Sequence, residues 1–275
     1  MKRGRSFISK YKFAMFGVIF IFLVILTAIF APLIAPHDPY KIDLMNQLAA
    51  PSDGHLLGQD QDGRDVLSGI IYGTRISLRV SIFAVLISLI VGTFLGAVSG
   101  YYGGVLDQLF MRVVDVIQAF PGILLAIAIT AVLGPSVNNV IIAICAVGWV
   151  GYARLIRGQF LSLRERDYIL AAKAIGVKDL KIIVRHMLPN SLAPLVVEAT
   201  FGMAIAILVE ASLSFLGIGA PAGTPSWGLM LNNGARYLLK ASHLATFPGI
   251  AIMLSVLSFN FIGDGLRDYL DVKKY

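Results

Sequence analysis

Tyr168–Asn190 reads YILAAKAIGVKDLKIIVRHMLPN, and it decides how the rest of the chain is understood. It is the longest strongly basic stretch in a chain that is otherwise mostly hydrocarbon. Ala171, Ala172 and Ala174 favour helix, and Gly176 is the residue that ends one. Asp179 falls where a second helix would begin, which suits the helix dipole. Leu180, Ile182, Ile183 and Val184 supply an apolar side, and Pro189 is expected to close the second helix. The pattern predicts two short helices around a glycine break, held at a membrane surface and shaped to be touched.

Composition sets the surroundings. Of 275 residues, 57% are hydrophobic and only 14% charged, and mean hydropathy is +0.79. A soluble domain carries about 25% charged residues, so the deficit means a multi-span membrane protein. The net charge of +7 could suggest nucleic acid. The charges cluster beside apolar runs, however, and orientation in the bilayer accounts for them. The single cysteine, Cys145, excludes a disulfide framework within the chain.

Six apolar runs are expected to span: 13–35, 77–100, 113–133, 137–152, 191–217 and 246–263. The first follows a basic stretch, 1–12, and is too long for a signal-peptide core of about 7–15 residues. Gly92, Gly96 and Gly100 make a doubled small-residue repeat suited to close helix approach, within one subunit or at a dimer seam. The third run is broken at Pro121-Gly122, as a fixed kink or a hinge. With both ends on one side, segments 1–12, 101–112, 154–190 and 264–275 hold 17 Lys/Arg, against 5 in 36–76, 134–136 and 218–245. That excess places both termini and the basic segment in the cytoplasm. The chain thus divides into a tail 1–12, a first span 13–35, an external loop 36–76, a core 77–264 containing the loop 154–190, and a tail 265–275.

Several motifs are missing. No G-x-x-x-x-G-K-[ST] loop is present to cradle phosphate, no H-E-x-x-H and no G-x-S-x-G. No catalytic residue is assigned. His37, His55, His186 and His243 are scattered over loops, so no metal site is expected from them. Glu198 and Glu210 are costly in lipid unless they face protein or water. Glu210 lies twenty residues past Asn190, about 30 Å along a helix and so near the outer rim. Glu198 could line a path or pair with a partner. Asp60, Asp62, Arg64 and Asp65 could form a salt-bridged loop, and Trp227 is expected at headgroup level.

The basic segment resembles the cytoplasmic loop of ABC importer permeases. That loop runs E-A-A, three residues, Gly, nine residues, I-x-L-P; here Leu170-Ala171-Ala172, Gly176 and His186-Met187-Leu188-Pro189 fall at the same spacing. Leu170 stands for the usual Glu and His186 for Ile. Leu57–Ser68, Asp115–Pro121, Tyr152–Arg157, Glu210–Gly217, Pro225–Gly228 and Gly263–Asp268 are similar, in order, to the C-type subunit of the dipeptide/oligopeptide/nickel permeases.

The resemblance implies an all-α membrane protein of the type I ABC importer permease fold, with six transmembrane helices and a helix–Gly–helix coupling loop. It implies a permease subunit for short peptides, with nickel or another small solute as the alternative and a stand-alone secondary transporter as a distant one. The implied partners are a second, B-type permease, two ATPase subunits, an extracytoplasmic solute-binding protein and the bilayer of a bacterial or archaeal inner membrane, without nucleic acid. The chain itself would be no enzyme and hold no cofactor; ATP and Mg would bind the ATPases. The ATPase-coupling residues implied are Ala171, Ala172, Lys173, Gly176, Val177, Asp179, Leu180, Arg185, His186, Leu188 and Pro189. Pro121, Glu198 and Glu210 are candidates for path or gating.

Overall fold

The computed structural model describes residues 11–271. The expected tail 1–12 therefore lies largely outside the described residues, with Lys2, Arg3, Arg5 and Lys10, whereas of the expected tail 265–275 only 272–275 do, with Lys273 and Lys274; residues 265–271 continue the last helix. The described residues are helical throughout, apart from loops and one isolated bridge between Gln59 and Asp65. Ten α-helices follow one another: α1 (Lys12–Ile34), α2 (Val66–Tyr102), α3 (Gly104–Gln118), α4 (Gly122–Leu133), α5 (Val137–Arg164), α6 (Asp167–Ala174), α7 (Asp179–Ile182), α8 (Leu188–Phe215), α9 (Trp227–Ala235) and α10 (His243–Asp271). A π-turn, Ile183–Met187, joins α7 to α8.

Five stretches are long and apolar enough to cross a membrane: α1, α2, α5, the continuous rod Asp179–Phe215, and α10. The third expected span, 113–133, is instead two helices, α3 and α4, meeting at 84°. The break is a kink between two helices, sharper than a bend within one rod. Pro121 caps α4 instead of bending a single rod, because it has no N–H to give and the residue before it is barred from helix.

α2 packs along α5, and α1 along α10; α8 sits against α2, α5 and α10. The α2–α5 seam is where Gly92, Gly96 and Gly100 act. A Cβ on Gly92 or Gly96 would meet the backbone oxygens of Trp149 and Ala153, and one on Gly100 would meet Phe160. The glycine repeat is thus used inside this chain, to bring two backbones together.

Several boundaries differ from expectation. α2 begins at Val66, eleven residues early, because Asp65 caps it: its Oδ2 accepts the Ser68 amide at 2.8 Å. α5 runs on to Arg164, well past the apolar run. The loop 218–245 holds α9, whose start is capped by Ser226. Pro189 does not end its helix. A proline removes one helical N–H and crowds the carbonyl four residues back. The preceding turn widens to π geometry, with the Leu188 amide donating to Ile183 O. Asn190 Nδ2 donates to His186 O at 2.6 Å and Ser191 Oγ to Met187 O at 3.0 Å. The helix continues because neighbours serve carbonyls at the widened turn.

Candidate functional site: an exposed platform and a sealed knot

α6, the Gly176 turn and α7 form the expected platform. Gly176 has φ +77°, the left-handed geometry that closes a helix and that side chains disfavour. The Val177 amide donates to Ala172 O across the turn. The underside is firmly held. Ile169, Ile182 and Met187 are fully buried with Phe160 and Ile156 of α5. Tyr101, at the end of α2, donates its hydroxyl to Asp179 Oδ1 at 2.6 Å, and Lys173 Nζ lies 4.7 Å from the same ring. Beneath the platform, Arg157 of α5 binds Asp107 of α3 through Nη2 at 2.7 Å, and Arg154 binds Asp115 at 2.7 Å.

The outer surface of the platform is apolar. Ile175 is 80% exposed and Leu180 73%; Leu170 and Val184 are about half exposed. Ala171, Lys173, Arg185 and Pro189 are exposed, and Ala172, Val177, His186 and Leu188 half-buried. Leu180, Ile182, Ile183 and Val184 were read as one apolar side. They divide: Ile182 is buried, Leu180 and Val184 exposed, since residues two apart on a helix face different ways. Sequence reasoning missed Ile175 and Tyr101. Ile175 had a visible signal, an unburied β-branched residue next to the glycine break; Tyr101 had none.

At the other end of α2 the chemistry reverses. Glu210 of α8 is 1% exposed. Its carboxylate accepts the hydroxyls of Ser77 at 3.1 Å, Ser214 at 2.9 Å and Ser226 at 3.1 Å. Three helices, α2, α8 and α9, meet on one side chain. Trp227 packs inside the chain rather than facing out from its loop. It is 2% exposed, lies over Gly73 and donates its indole N–H to Ile70 O at 3.0 Å. Ser226 turns α9 inward at once, so the ring has no route to the surface.

Glu198 lies on α8 nearer the platform. It lines a cleft of ≈ 460 Å³ with Gln159, Asn190, Pro194, Phe201 and Arg267. The structure therefore separates the two acids that sequence placed together as path candidates: Glu198 faces open space, Glu210 does not.

The acidic loop is built around turns. Asp60 Oδ1 accepts the amides of Asp62 at 2.9 Å and Arg64 at 2.8 Å. Burial nevertheless pushes the Asp60 carboxyl above its usual range, against those two bonds. The Arg64–Asp62 pair stands at 3.4 Å. Asp65 joins no such pair with Arg64. Burial pushes its carboxyl up, but the Ser68 hydroxyl, His55 and the Ser68 amide outweigh that and hold it below the usual range. His55 and His37 both lie against Asp65, so these two histidines, at least, are not scattered.

The chain is similar to known proteins along its length. The family described as "Binding-protein-dependent transport system inner membrane component" matches residues 92–274, and the "N-terminal TM domain of oligopeptide transport permease C" matches residues 7–51. A dipeptide transport system permease protein of Alkalihalophilus pseudofirmus is 50% identical over 266 residues, covering 97% of this chain and 88% of the relative. A glutathione transport system permease protein of Pectobacterium atrosepticum is 43% identical over 272 residues, covering 98% and 89%. Its Escherichia coli counterpart is 47% identical over 261 residues, covering 94% and 86%. Among solved structures, one of the MetNI methionine ABC transporter in inward-facing conformations superposes with TM-score 0.56 at 19% identity, covering 74% of this chain and 96% of that one. That likeness concerns the fold.

Proposed function

The chain belongs to the inner-membrane components of binding-protein-dependent transport systems, of the oligopeptide-permease C type, and from that premise we propose that it carries short peptides across the membrane as one half of a heteromeric path. The membrane-spanning subunit forms this path with a second, B-type permease. Two ATPase subunits bind beneath and a solute-binding protein delivers from the outside. Both termini and the α6–α7 platform face the cytoplasm. ATP and Mg bind the ATPases, and this chain performs no chemistry of its own.

The observation that carries the reading is the platform. Four apolar side chains, Leu170, Ile175, Leu180 and Val184, stand exposed on a support whose underside is fully packed. Exposed hydrocarbon on a rigid base, rimmed by Lys173, Lys178, Lys181 and Arg185, suits insertion into a groove of a partner. Ala171, Ala172, Gly176 and Val177 set the shape of that insert, and Asp179 ties it through Tyr101 to α2. Closure of an ATP-bound ATPase dimer would push on the platform. Asp179–Phe215 is one continuous helical stretch, so it would transmit the push to the Glu198 cleft as a shift between two populated conformations. His186, Leu188 and Pro189 lie at the π-turn, where that rod is least regular.

Relatives named for dipeptide and for glutathione transport, both peptides, favour a peptide over nickel as cargo. The test is reconstitution of both permeases, the ATPases and the binding protein in liposomes, with labelled dipeptide, glutathione and nickel offered separately. The native chain is expected to support ATP-dependent uptake of one of the peptides. The double variant Ile175→Asp/Leu180→Asp is expected to fold normally, retain less than a tenth of the bound ATPase and lose uptake. Undiminished ATPase binding by that variant would overturn the platform reading. Uptake of nickel alone would overturn the peptide reading.

A further inference from the structure

Three side chains outside the platform and the Glu198 cleft meet at the opposite end of α2. His37 follows α1 by three residues, and its amide donates to Ser68 Oγ at 3.0 Å. His55 belongs to the loop between α1 and α2. Asp65 caps α2. His55 Nδ1 lies 2.9 Å from Asp65 Oδ1, and His37 Nδ1 lies 3.7 Å from the same oxygen. The two imidazoles stack with centroids 4.4 Å apart and planes 30° apart. One ligand atom from each of the three residues lies within 4.8 Å of the other two.

Ordinary hydrogen bonding does not account for this arrangement. Asp65 is 1% exposed at its side chain. Its Oδ2 is occupied by the Ser68 amide at 2.8 Å and hydroxyl at 2.7 Å. Oδ1 takes one hydrogen bond, from His55. His37 Nδ1 is directed at the same oxygen from 3.7 Å, outside hydrogen-bonding range. A divalent cation resolves the geometry, because it accepts a lone pair from both nitrogens and from Oδ1 together.

We propose that His37 Nδ1, His55 Nδ1 and Asp65 Oδ1 form a three-ligand site for a transition-metal dication of the zinc class. Two imidazoles and one carboxylate suit zinc or cobalt; calcium and magnesium prefer all-oxygen shells. Metal–ligand distances of about 2.0–2.2 Å set tetrahedral ligand atoms roughly 3.4 Å apart. The spacings of 2.9 Å and 3.7 Å lie on either side of that value. Ser68 supports the site from behind by fixing the second carboxylate oxygen. The exposed flank of His37 leaves a fourth position to water. The bound ion staples the end of α1 to the start of α2 across the loop 38–64, adding to the bonds in which the Asp43 and Leu48 amides donate to Asp62 O and Asp60 O.

The test uses the full-length chain carrying a histidine-free affinity tag, stripped with a chelator and titrated with Co²⁺. One equivalent is expected to give visible d–d absorption of a four-coordinate site. Zn²⁺ should displace it, and either ion should raise the unfolding temperature. His37→Ala and His55→Ala should each remove the absorption and the thermal shift, whereas His186→Ala on the platform should leave both intact. Zinc-edge X-ray absorption of the native chain supplies an answer that does not depend on any variant folding; two imidazoles are expected in the first shell. Binding that survives loss of both His37 and His55, a zinc shell without imidazole, or no uptake by the native chain would each overturn the site. None of these outcomes bears on the platform reading, which is tested through the ATPase.

Discussion

At the far end of α2 the Glu210 carboxylate is enclosed by three hydroxyls, while at the platform end Ile175 and Leu180 stand 80% and 73% exposed. Each arrangement is costly alone. A buried carboxylate needs donors, and exposed hydrocarbon needs cover. The Glu210 knot finds its donors within this chain, on α2, α8 and the cap of α9. The platform finds its support within the chain but not its cover. The difference separates what holds the subunit together from what it offers to others. A residue whose needs are met internally tells about stability; one left unmet on a rigid base tells about a partner.

The contrast can be broken at either end. The largest loss of stability is expected from Trp227→Ala, about 3–5 kcal/mol, because the ring fills the space over Gly73 and bonds Ile70. Thermal unfolding in detergent should show it, with ATPase binding per folded chain unchanged. A drop in ATPase binding at equal folded yield would merge the two regions that the structure separates. Glu210→Gln should cost about 2 kcal/mol. The amide turns two donors toward hydroxyls that now donate to the carboxylate, leaving buried groups unpaired. Stability equal to the native chain would show that the three serines can reverse their bonds. Tyr101→Phe should cost only about 1 kcal/mol, since it removes one hydrogen bond at a partly open site. Its signature is local: faster amide exchange across 179–187 and little change in α8 beyond Ser191. Uniformly faster exchange would mean that the platform is not a separable unit.

Much of the architecture was legible in the chain. Span number, the platform's helix–glycine–helix layout and its basic rim follow from apolar run length, a break residue and clustered charge, all of which act over a few residues. Errors arose where one residue satisfied a distant need. Pro189 reads as a stop until Asn190 and Ser191 are seen serving nearby carbonyls. Trp227 reads as an interfacial ring until Ser226 caps α9 and turns it inward. Pro121 reads as a kink, and only packing decides that the chain turns through 84° there.

The sequence by itself determined that this chain is a multi-span membrane protein and that residues 168–190 fold as two short helices around a glycine break with a basic rim. Those conclusions need only hydropathy and local spacing. Tertiary structure alone decided which acid faces open space and which is sealed, that the Gly92–Gly100 repeat serves α5 in the same chain, and that His37 and His55 meet on Asp65. Such pairings depend on contacts between residues far apart in the chain, and a pattern read along the sequence carries no record of which distant side chain will occupy the other half of a site.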